Sequence, residues 1–124
     1  MSATENCPFC RPSEPLLRDD LAFAIYDRSP VTPGHMLIIP YRHVDDWFDT
    51  TPQEKSAMLT LLERSRAHLR RERNPEGFNF GVNCGAVAGQ SIFHVHMHLI
   101  PRYRGDMDDP LGGVRGVIPE RQKY

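Results

Sequence analysis

Hydrophobic and polar side chains alternate along residues 92–100, which read Ile-Phe-His-Val-His-Met-His-Leu-Ile. A period of two is typical of a β-strand with one buried face, because successive side chains of a strand point to opposite sides. His94, His96 and His98 therefore share one face of the predicted strand, and the apolar residues between them face the core. A shift of one residue would exchange the two faces, so the pattern also fixes the register. Three imidazoles in a row add nothing to packing, which favours a chemical role.

Three further apolar runs predict strands, and one amphipathic segment predicts a helix. The strands cover residues 21–26, 35–39 and 78–83, which are rich in β-prone residues and end at turn-forming residues. Thr51-Pro52-Gln53-Glu54 combines an N-cap, a proline at the first helical position and a capping-box glutamate, so a helix starts there and extends to Asn74-Pro75. Strands without β-α-β alternation indicate an α+β fold, an antiparallel sheet of about five strands with one main helix.

Chain length and the distribution of turn-forming residues predict one domain. A chain of 124 residues is long enough to bury a moderate core, so we expect a single domain over residues 1–124. Residues 103–124 are rich in Gly, Pro, Asp and Arg and have no clear period, which predicts a C-terminal tail of ordered or semi-ordered loop. A small antiparallel sheet exposes an edge or a flat face that a second copy can cover, so a homodimer is expected.

Charge and hydropathy exclude two classes of partner. The 15 basic and 16 acidic residues leave a net charge of −1, which argues against a general electrostatic nucleic-acid binder. No apolar run approaches the length of a membrane span, and the N-terminal residues lack the apolar core of a signal peptide. We therefore expect a cytoplasmic protein with neither a nucleic-acid nor a membrane partner.

Two of the three cysteines form a Cys-Pro-Phe-Cys turn over residues 7–10. This spacing can present both sulfurs to a zinc ion, although tetrahedral coordination requires two more ligands. A redox pair is the alternative, but the turn does not precede a strand-to-helix junction of the thioredoxin type. Either use fits a reducing compartment better than a disulfide framework does.

The segment His-Val-His-Met-His-Leu-Ile at residues 94–100 resembles the signature of the histidine-triad family, in which three histidines alternate with apolar residues. The resemblance extends from about Cys7 to about Arg104. It also rests on Pro33-Gly34-His35, Ile39-Pro40, Asn83-x-Gly85, Gly89-Gln90-Ser91 and Pro101-Arg102. The cysteine turn and the late glycine-rich segment at 105–115 are similar to those of the small bacterial, zinc-bearing members.

This resemblance implies a nucleotide hydrolase or transferase. Such an enzyme acts on the α-phosphate of a purine nucleotide conjugate through a nucleotidyl-histidine intermediate, with His96 as the nucleophile. His98 and His35 are expected to contact the phosphate or orient the site, and His94 is the remaining catalytic candidate of the triad. The expected substrate-binding residues are the phosphate-oxygen donors Asn83, Gln90 and Ser91, the ribose-binding Asp27, and the base-pocket residues Ile25 and Phe9.

The resemblance also implies a complete zinc site. In zinc-bearing members the ligands come from the cysteine turn, from a histidine shortly after the second strand and from the first triad histidine. Cys7, Cys10, His43 and His94 occupy these positions, so a structural zinc is expected. If zinc is bound, His94 cannot also be a free acid, and the metal would fix the start of the catalytic strand.

Other interpretations of these residues remain open. Asp27 begins a turn and can serve as its cap, the polar residues of the 83–91 loop can be structural, and Ile25 and Phe9 can be core. The triad histidines could instead be ligands of a catalytic metal, or the protein could be a non-catalytic nucleotide-binding or interaction protein. Dinucleoside polyphosphates, nucleoside phosphoramidates and acyl-nucleotides share the same α-phosphate and ribose, so the sequence leaves the leaving group open.

Overall fold

The computed structural model describes residues 6–12 and 14–124, which form an antiparallel sheet covered on one face by a helix. The sheet has five strands in the spatial order β1-β2-β3-β5-β4, and every neighbouring pair is antiparallel. The elements are β1 (Leu17–Arg18), β2 (Ala22–Tyr26), β3 (Met36–Pro40), α1 (Pro52–Glu72), β4 (Gly77–Val82) and β5 (Met97–Arg102). This architecture confirms the predicted α+β fold with about five strands and one main helix.

The helix begins as the sequence predicts. The Thr51 side chain accepts a hydrogen bond from Glu54 N at 3.0 Å, and Glu54 Oε1 accepts one from Thr51 N at 2.8 Å. These two bonds form the capping box, with Pro52 at the first helical position. The strand missed by the sequence is β1, because two residues are too few to show a period.

The prediction of one strand over residues 92–100 is wrong in its first half. β5 starts at Met97, so His94 lies in a bend and His96 in the irregular segment before the strand; Phe93 is 45% exposed while His94 is fully buried. The cause is a competing set of partners, because Val95 N donates to Val44 O at 2.8 Å instead of joining the sheet ladder. The alternation of buried and half-buried residues runs from Val95 onward, whereas the hydrogen-bonded strand begins at Met97.

The two faces of the sheet pack against different parts of the chain. On one face, Met58, Leu61 and Leu69 of α1 pack against alternate residues of the central strands. On the other face, Phe23, Leu37 and Ile39 form a second cluster with Phe9 of the N-terminal turn. His98 pairs with Leu37 and therefore lies on this second face, because directly opposed residues of antiparallel strands share a side. The histidines are thus placed on the face that α1 leaves uncovered.

The C-terminal tail has short 3₁₀ turns at Gly113–Val117 and Pro119–Arg121. Its own hydrogen bonds join these turns, since Arg115 Nε donates to Gln122 O at 3.1 Å and Gln122 Nε2 donates to Leu111 O at 3.2 Å. Within the described part of the chain, no helix is long and apolar enough to cross a membrane.

Candidate functional site

A row of aromatic rings crosses the face of the sheet opposite α1. Ring centroids are 5.0 Å apart for His43 and His94, 5.2 Å for His96 and His98, and 5.1 Å for His98 and His35. Phe9 packs against His96 at 5.0 Å and against His94 at 6.0 Å. The structure therefore brings all four catalytic candidates together: His94 belongs to one group, His35 and His98 to a second, and His96 lies between the two groups.

The first group consists of Cys7, Cys10, His43 and His94, whose ligand atoms all lie within 4.8 Å of one another. The sulfur of Cys7 is 3.3 Å from His94 Nδ1, and that of Cys10 is 3.1 Å from His43 Nδ1 and 3.5 Å from His94 Nδ1. With Zn–S bonds of about 2.3 Å and Zn–N bonds of about 2.0 Å, tetrahedral coordination separates S from N by about 3.5 Å. The donor set and its spacing therefore fit a zinc ion.

The electrostatics of this group also suit a cation. Burial, and then the neighbouring Cys7 thiol, raises the pKa of Cys10 to about 11, so two adjacent thiolates are unfavourable without a positive charge between them. Burial lowers the pKa of His94 and keeps its imidazole neutral, as a metal ligand requires. Its Nε2 donates to Pro40 O at 2.7 Å, which leaves the lone pair on Nδ1, the nitrogen beside the sulfurs.

His96 has its proton position fixed by the backbone. Its Nδ1 donates to the carbonyl oxygen of His94 at 3.0 Å, because a carbonyl can only accept. The neutral ring then carries its lone pair on Nε2. His94 thus acts twice, with its side chain in the cysteine cluster and its carbonyl on the ring of His96.

His35 and His98 form the second group; a backbone N–H sets the tautomer of His35, and His35 sets that of His98. Val31 N donates to His35 Nδ1 at 3.0 Å, so the neutral His35 ring holds its proton on Nε2. That proton is donated to His98 Nδ1 at 2.9 Å, and the neutral His98 ring therefore keeps a hydrogen on Nε2. Burial lowers the pKa of His35 and, together with the neighbouring His96 and His35, lowers that of His98 to about 4. Both rings are neutral at neutral pH.

Asp27 caps a turn and also lies beside the histidine group. Its Oδ1 accepts a hydrogen bond from Ser29 N at 2.8 Å, which is a turn cap. Its Oδ2 lies 3.5 Å from His35 Nε2, so the same carboxylate borders the histidine group. His35 donates to the nearer His98 nitrogen, which leaves Oδ2 able to accept from another group.

Gln90 is placed differently from the phosphate donor that the sequence suggested. Its Oε1 accepts from Gly85 N at 2.8 Å, and its Nε2 donates to Asp45 O at 2.7 Å and to Ile92 O at 3.2 Å. Both amide hydrogens are therefore used inside the protein, where the residue is buried. This correction makes Gln90 a positioning residue that closes the loop before the triad.

The other expected substrate residues differ in exposure and surroundings. Asn83 follows β4 and is half-buried, whereas Ser91 is exposed at the far end of the 83–91 loop. Ile25 of β2 packs on the cluster that contains Phe9 and Leu37. Since Phe9 also contacts the His96 ring, this cluster is both core and a wall of the site.

The sequence did not predict the residues and backbone groups that position the histidines. Arg42 donates to Glu54 through Nε at 2.8 Å and through Nη2 at 2.9 Å, and this pair anchors the loop that carries His43 to the start of α1. The backbone partners of the histidines, at Val31, Pro40 and His94, were also missed, because main-chain groups leave no residue-type signal in a sequence.

The alternative with a catalytic metal on all three triad histidines is not supported by this geometry. Both ring nitrogens of His94 already face the cysteine cluster and Pro40. A different set, Asp27, His35 and His98, has ligand atoms within 4.8 Å of one another. The hydrogen bond between the two imidazoles accounts for the short distance in that set.

Comparison with known proteins identifies the family of this chain. Similar proteins include the Bacillus subtilis "Protein hit", 38% identical over 113 residues that cover 86% of this chain and 78% of the relative. An AP-4-A phosphorylase from Mycobacterium tuberculosis is 34% identical over 106 residues, which cover 83% of this chain and 54% of that protein. A Zn-bound histidine triad protein from Mycobacterium smegmatis superposes with a TM-score of 0.75 at 33% identity, covering 83% of this chain and 79% of that one. The HIT domain family matches residues 10–105, and the chain belongs to that family.

Proposed function

We propose that this HIT-family enzyme is a nucleotidyl hydrolase or transferase that acts on the α-phosphate of a purine nucleotide conjugate, with His96 as the nucleophile. The observation that carries the proposal is the bond from His96 Nδ1 to the His94 carbonyl, which leaves the Nε2 lone pair available for attack. The name of the mycobacterial relative, AP-4-A phosphorylase, supports a nucleotide substrate.

The reaction takes two displacements at phosphorus. In the first, His96 Nε2 forms a bond to the α-phosphorus, the bond to the leaving group breaks, and its electron pair departs with that group. The Nε2 hydrogen of His98 is a donor for a phosphate oxygen or for the departing atom, and it adds no formal cation. In the second, water forms the new P–O bond, the P–N bond breaks, its pair returns to Nε2 and the proton of the water passes to solvent.

The proposal also assigns the substrate-binding roles. Asp27 Oδ2 accepts hydrogen bonds from the ribose hydroxyls, and Asn83, Ser91 and backbone amides of the 83–91 loop donate to the phosphate oxygens. Phe9 and Ile25 form apolar walls for the purine. His35 orients His98 through the bond between their rings.

We also propose a structural zinc held by Cys7, Cys10, His43 and His94, the set whose spacing fits tetrahedral coordination. When bound, zinc supplies a fixed positive charge that holds the two sulfurs as thiolates. The four side chains then tether the N-terminal turn to the bend before β5, and Phe9 is carried by that turn against His96. Cys7 and Cys10 must be reduced to bind zinc, which fits the cytoplasmic location that we propose.

A homodimer is proposed from the edges of the sheet. β1 has two residues, but β4 is an edge strand of six residues whose Phe80 is 57% exposed. An edge of this length offers unpaired backbone groups to a second copy. Light scattering of the wild type should give the mass of two chains, and a monomer at all concentrations would overturn this part of the proposal.

The experiment that tests the nucleophile is His96→Asn, with His68→Asn on α1 as the matched control outside the site. Loss of the attacking nitrogen should lower kcat on adenosine phosphoramidate at least about a thousandfold, while the control retains wild-type turnover. Mass spectrometry of acid-quenched wild type during turnover should locate a nucleotidyl group on His96. Retained turnover in His96→Asn, or an adduct on another histidine, contradicts the assignment.

A further inference from the structure

The turn between β2 and β3 is tied to β5 by a buried side chain. Thr32 is 8% exposed, and its Oγ1 donates a hydrogen bond to Pro101 O at 2.5 Å. β3 pairs with β5 only as far as Met36 with Leu99, so Pro101 lies beyond the last pair of this ladder. The Thr32 hydroxyl therefore connects the turn to β5 at a point where the two strands are no longer paired.

Thr32 is also coupled closely to His35 through the backbone. His35 N donates to Thr32 O at 3.1 Å, which closes a four-residue turn. Pro33 at its second position and Gly34 at its third, with φ of 92°, are typical of a type II turn. The turn holds Thr32 and His35 in a fixed relation, so a bond that positions one of them also positions the other.

The hydrogen bonds of this region form a closed path that begins and ends on β5. From Pro101 the path runs through the Thr32 hydroxyl to the turn, where Val31 N, next to Thr32, donates to His35 Nδ1 at 3.0 Å. His35 Nε2 then donates to His98 Nδ1 at 2.9 Å, and His98 lies on β5 together with Pro101. The bond of Thr32 therefore bears on the bond between the two imidazoles.

A second connection between the same segments is exposed. Tyr103, directly after β5, donates from its hydroxyl to Pro33 O at 2.6 Å. Pro33 is exposed and Tyr103 is half-buried, so water can replace this bond if it is lost. The Thr32 bond is buried, and its loss leaves the Pro101 carbonyl without that donor.

We propose that Thr32 is a positioning residue, whose hydroxyl holds the turn so that the Val31 N–H selects the reactive proton arrangement of His35 and His98. This inference rests on the proposed function, in which the Nε2 hydrogen of His98 is a donor to the substrate. Without the Thr32 bond, Val31 N moves away from His35 Nδ1, and the ring proton of His35 can shift to that nitrogen. His35 Nε2 then accepts from His98 Nδ1, both rings stay neutral, and His98 Nε2 no longer carries a hydrogen.

Asp27 is a competing source of the same proton arrangement. Its Oδ2 lies 3.5 Å from His35 Nε2, and a carboxylate near that nitrogen also favours a proton there. The Val31 N–H is nearer to the ring, at 3.0 Å from Nδ1, and occupies the alternative proton position directly. A test of Thr32 separates the two sources, because removal of its hydroxyl leaves the Asp27 carboxylate in place.

The test removes the hydroxyl and keeps the shape of the side chain. Thr32→Val does this, and Thr32→Ser retains the donor and serves as the rescue. Thr50→Val is the matched control, because Thr50 is 6% exposed and its Oγ1 donates to the backbone Trp47 O at 2.6 Å. Tyr103→Phe is a milder probe of the same turn. Urea unfolding checks that each variant is folded, and both valine variants should unfold at a lower urea concentration than the wild type.

The first readout is the tautomer of His35, which does not depend on turnover. Long-range ¹H–¹⁵N correlation spectra of the full chain, with ring-labelled histidine and assigned with His35→Asn, distinguish protonated from unprotonated ring nitrogens. In the wild type, Nε2 of His35 should be protonated and Nδ1 unprotonated. In Thr32→Val the two signals should move toward each other as the second tautomer is populated, whereas Thr50→Val and Thr32→Ser should match the wild type.

The second readout is turnover of adenosine phosphoramidate. Thr32→Val should lower kcat about two- to tenfold, the contribution of one neutral hydrogen bond, and change KM less. Tyr103→Phe should lower kcat in the same direction by a smaller factor. Thr32→Ser and Thr50→Val should retain the wild-type kcat.

Two results overturn the inference alone. One is an unchanged His35 tautomer in folded Thr32→Val, which would assign the proton arrangement to Asp27. The other is a kcat that falls equally in Thr32→Val and Thr50→Val, which would reduce Thr32 to a contribution to stability. If the wild type forms no adduct on His96, the proposed function fails, and the spectra still decide whether Thr32 sets the tautomer.

Discussion

The ion pair between Arg42 and Glu54 makes stability depend on pH in a way that can be calculated. Glu54 is 4% exposed, and the Arg42 guanidinium, with the Thr51 backbone N–H, lowers the pKa of its carboxyl from 4.5 to about 2. Because the folded pKa is depressed, the carboxylate stabilises the fold above pH 4.5, and this contribution is lost as the pH falls through about 2. A shift of this size corresponds to about 3 kcal/mol at neutral pH, an upper limit because half of the Arg42 side chain is exposed to solvent.

The perturbation is Glu54→Gln, which retains a capping box because glutamine can still accept from the Thr51 backbone. Urea unfolding should show the variant less stable than the wild type by about 1–3 kcal/mol at pH 7. At pH 3 the wild type should have lost about half or more of that advantage. Comparing wild type with variant at each pH removes the effects of other titrating groups. A stability difference that is equal at pH 7 and pH 3 would refute the reasoning.

The other predictions concern the site. Asp27→Ala should weaken turnover of a ribonucleotide conjugate roughly tenfold to a hundredfold and leave the 2′-deoxy analogue nearly unchanged; equal losses in kcat/KM on both would show a turn cap only. Purified protein should hold about one zinc per chain by elemental analysis, and Cys7→Ser with Cys10→Ser should abolish it and lower Tm; a metal-free wild type prepared without chelator would refute the site. Activity should fall below about pH 4, where protonation places a hydrogen on His98 Nδ1 and removes the acceptor for His35. A kcat/KM that stays constant down to pH 3 in a folded protein would contradict the role of the hydrogen bond between His35 and His98.

Sequence patterns predicted the elements of this fold that depend on residues a few positions apart. The capping box at Thr51 and the strands β2, β3 and β4 follow from residue patterns within a few positions. The predicted strand began too early because the residues before Met97 are held by distant partners. The backbone N–H of Val95, for example, donates to Val44 O. Alternation alone cannot show which half of a segment finds a sheet neighbour.

The distinction between local patterns and long-range contacts also applies to the site. Residue spacing nominated the three triad histidines and the two cysteines of the turn, whereas His35 and His43 were nominated by the family resemblance. The structure brings these residues together in one region. The role of Gln90 was not readable, because an amide can face either a ligand or the backbone and only the fold shows that both hydrogens of this one are used. The pairing of Arg42 with Glu54 joins residues from different elements, and no periodicity encodes it.

Main-chain atoms set the tautomers of His35, His96 and His94 through Val31 N, His94 O and Pro40 O, and His35 in turn sets the tautomer of His98. A transplant of the four histidines onto another scaffold would therefore carry the imidazoles without their proton arrangement. Most substitutions at Val31 leave its N–H in place, and only proline removes that donor. The proton pattern of this site is thus a property of the path of the backbone, robust to most exchanges of side chains and vulnerable to small changes in loop length.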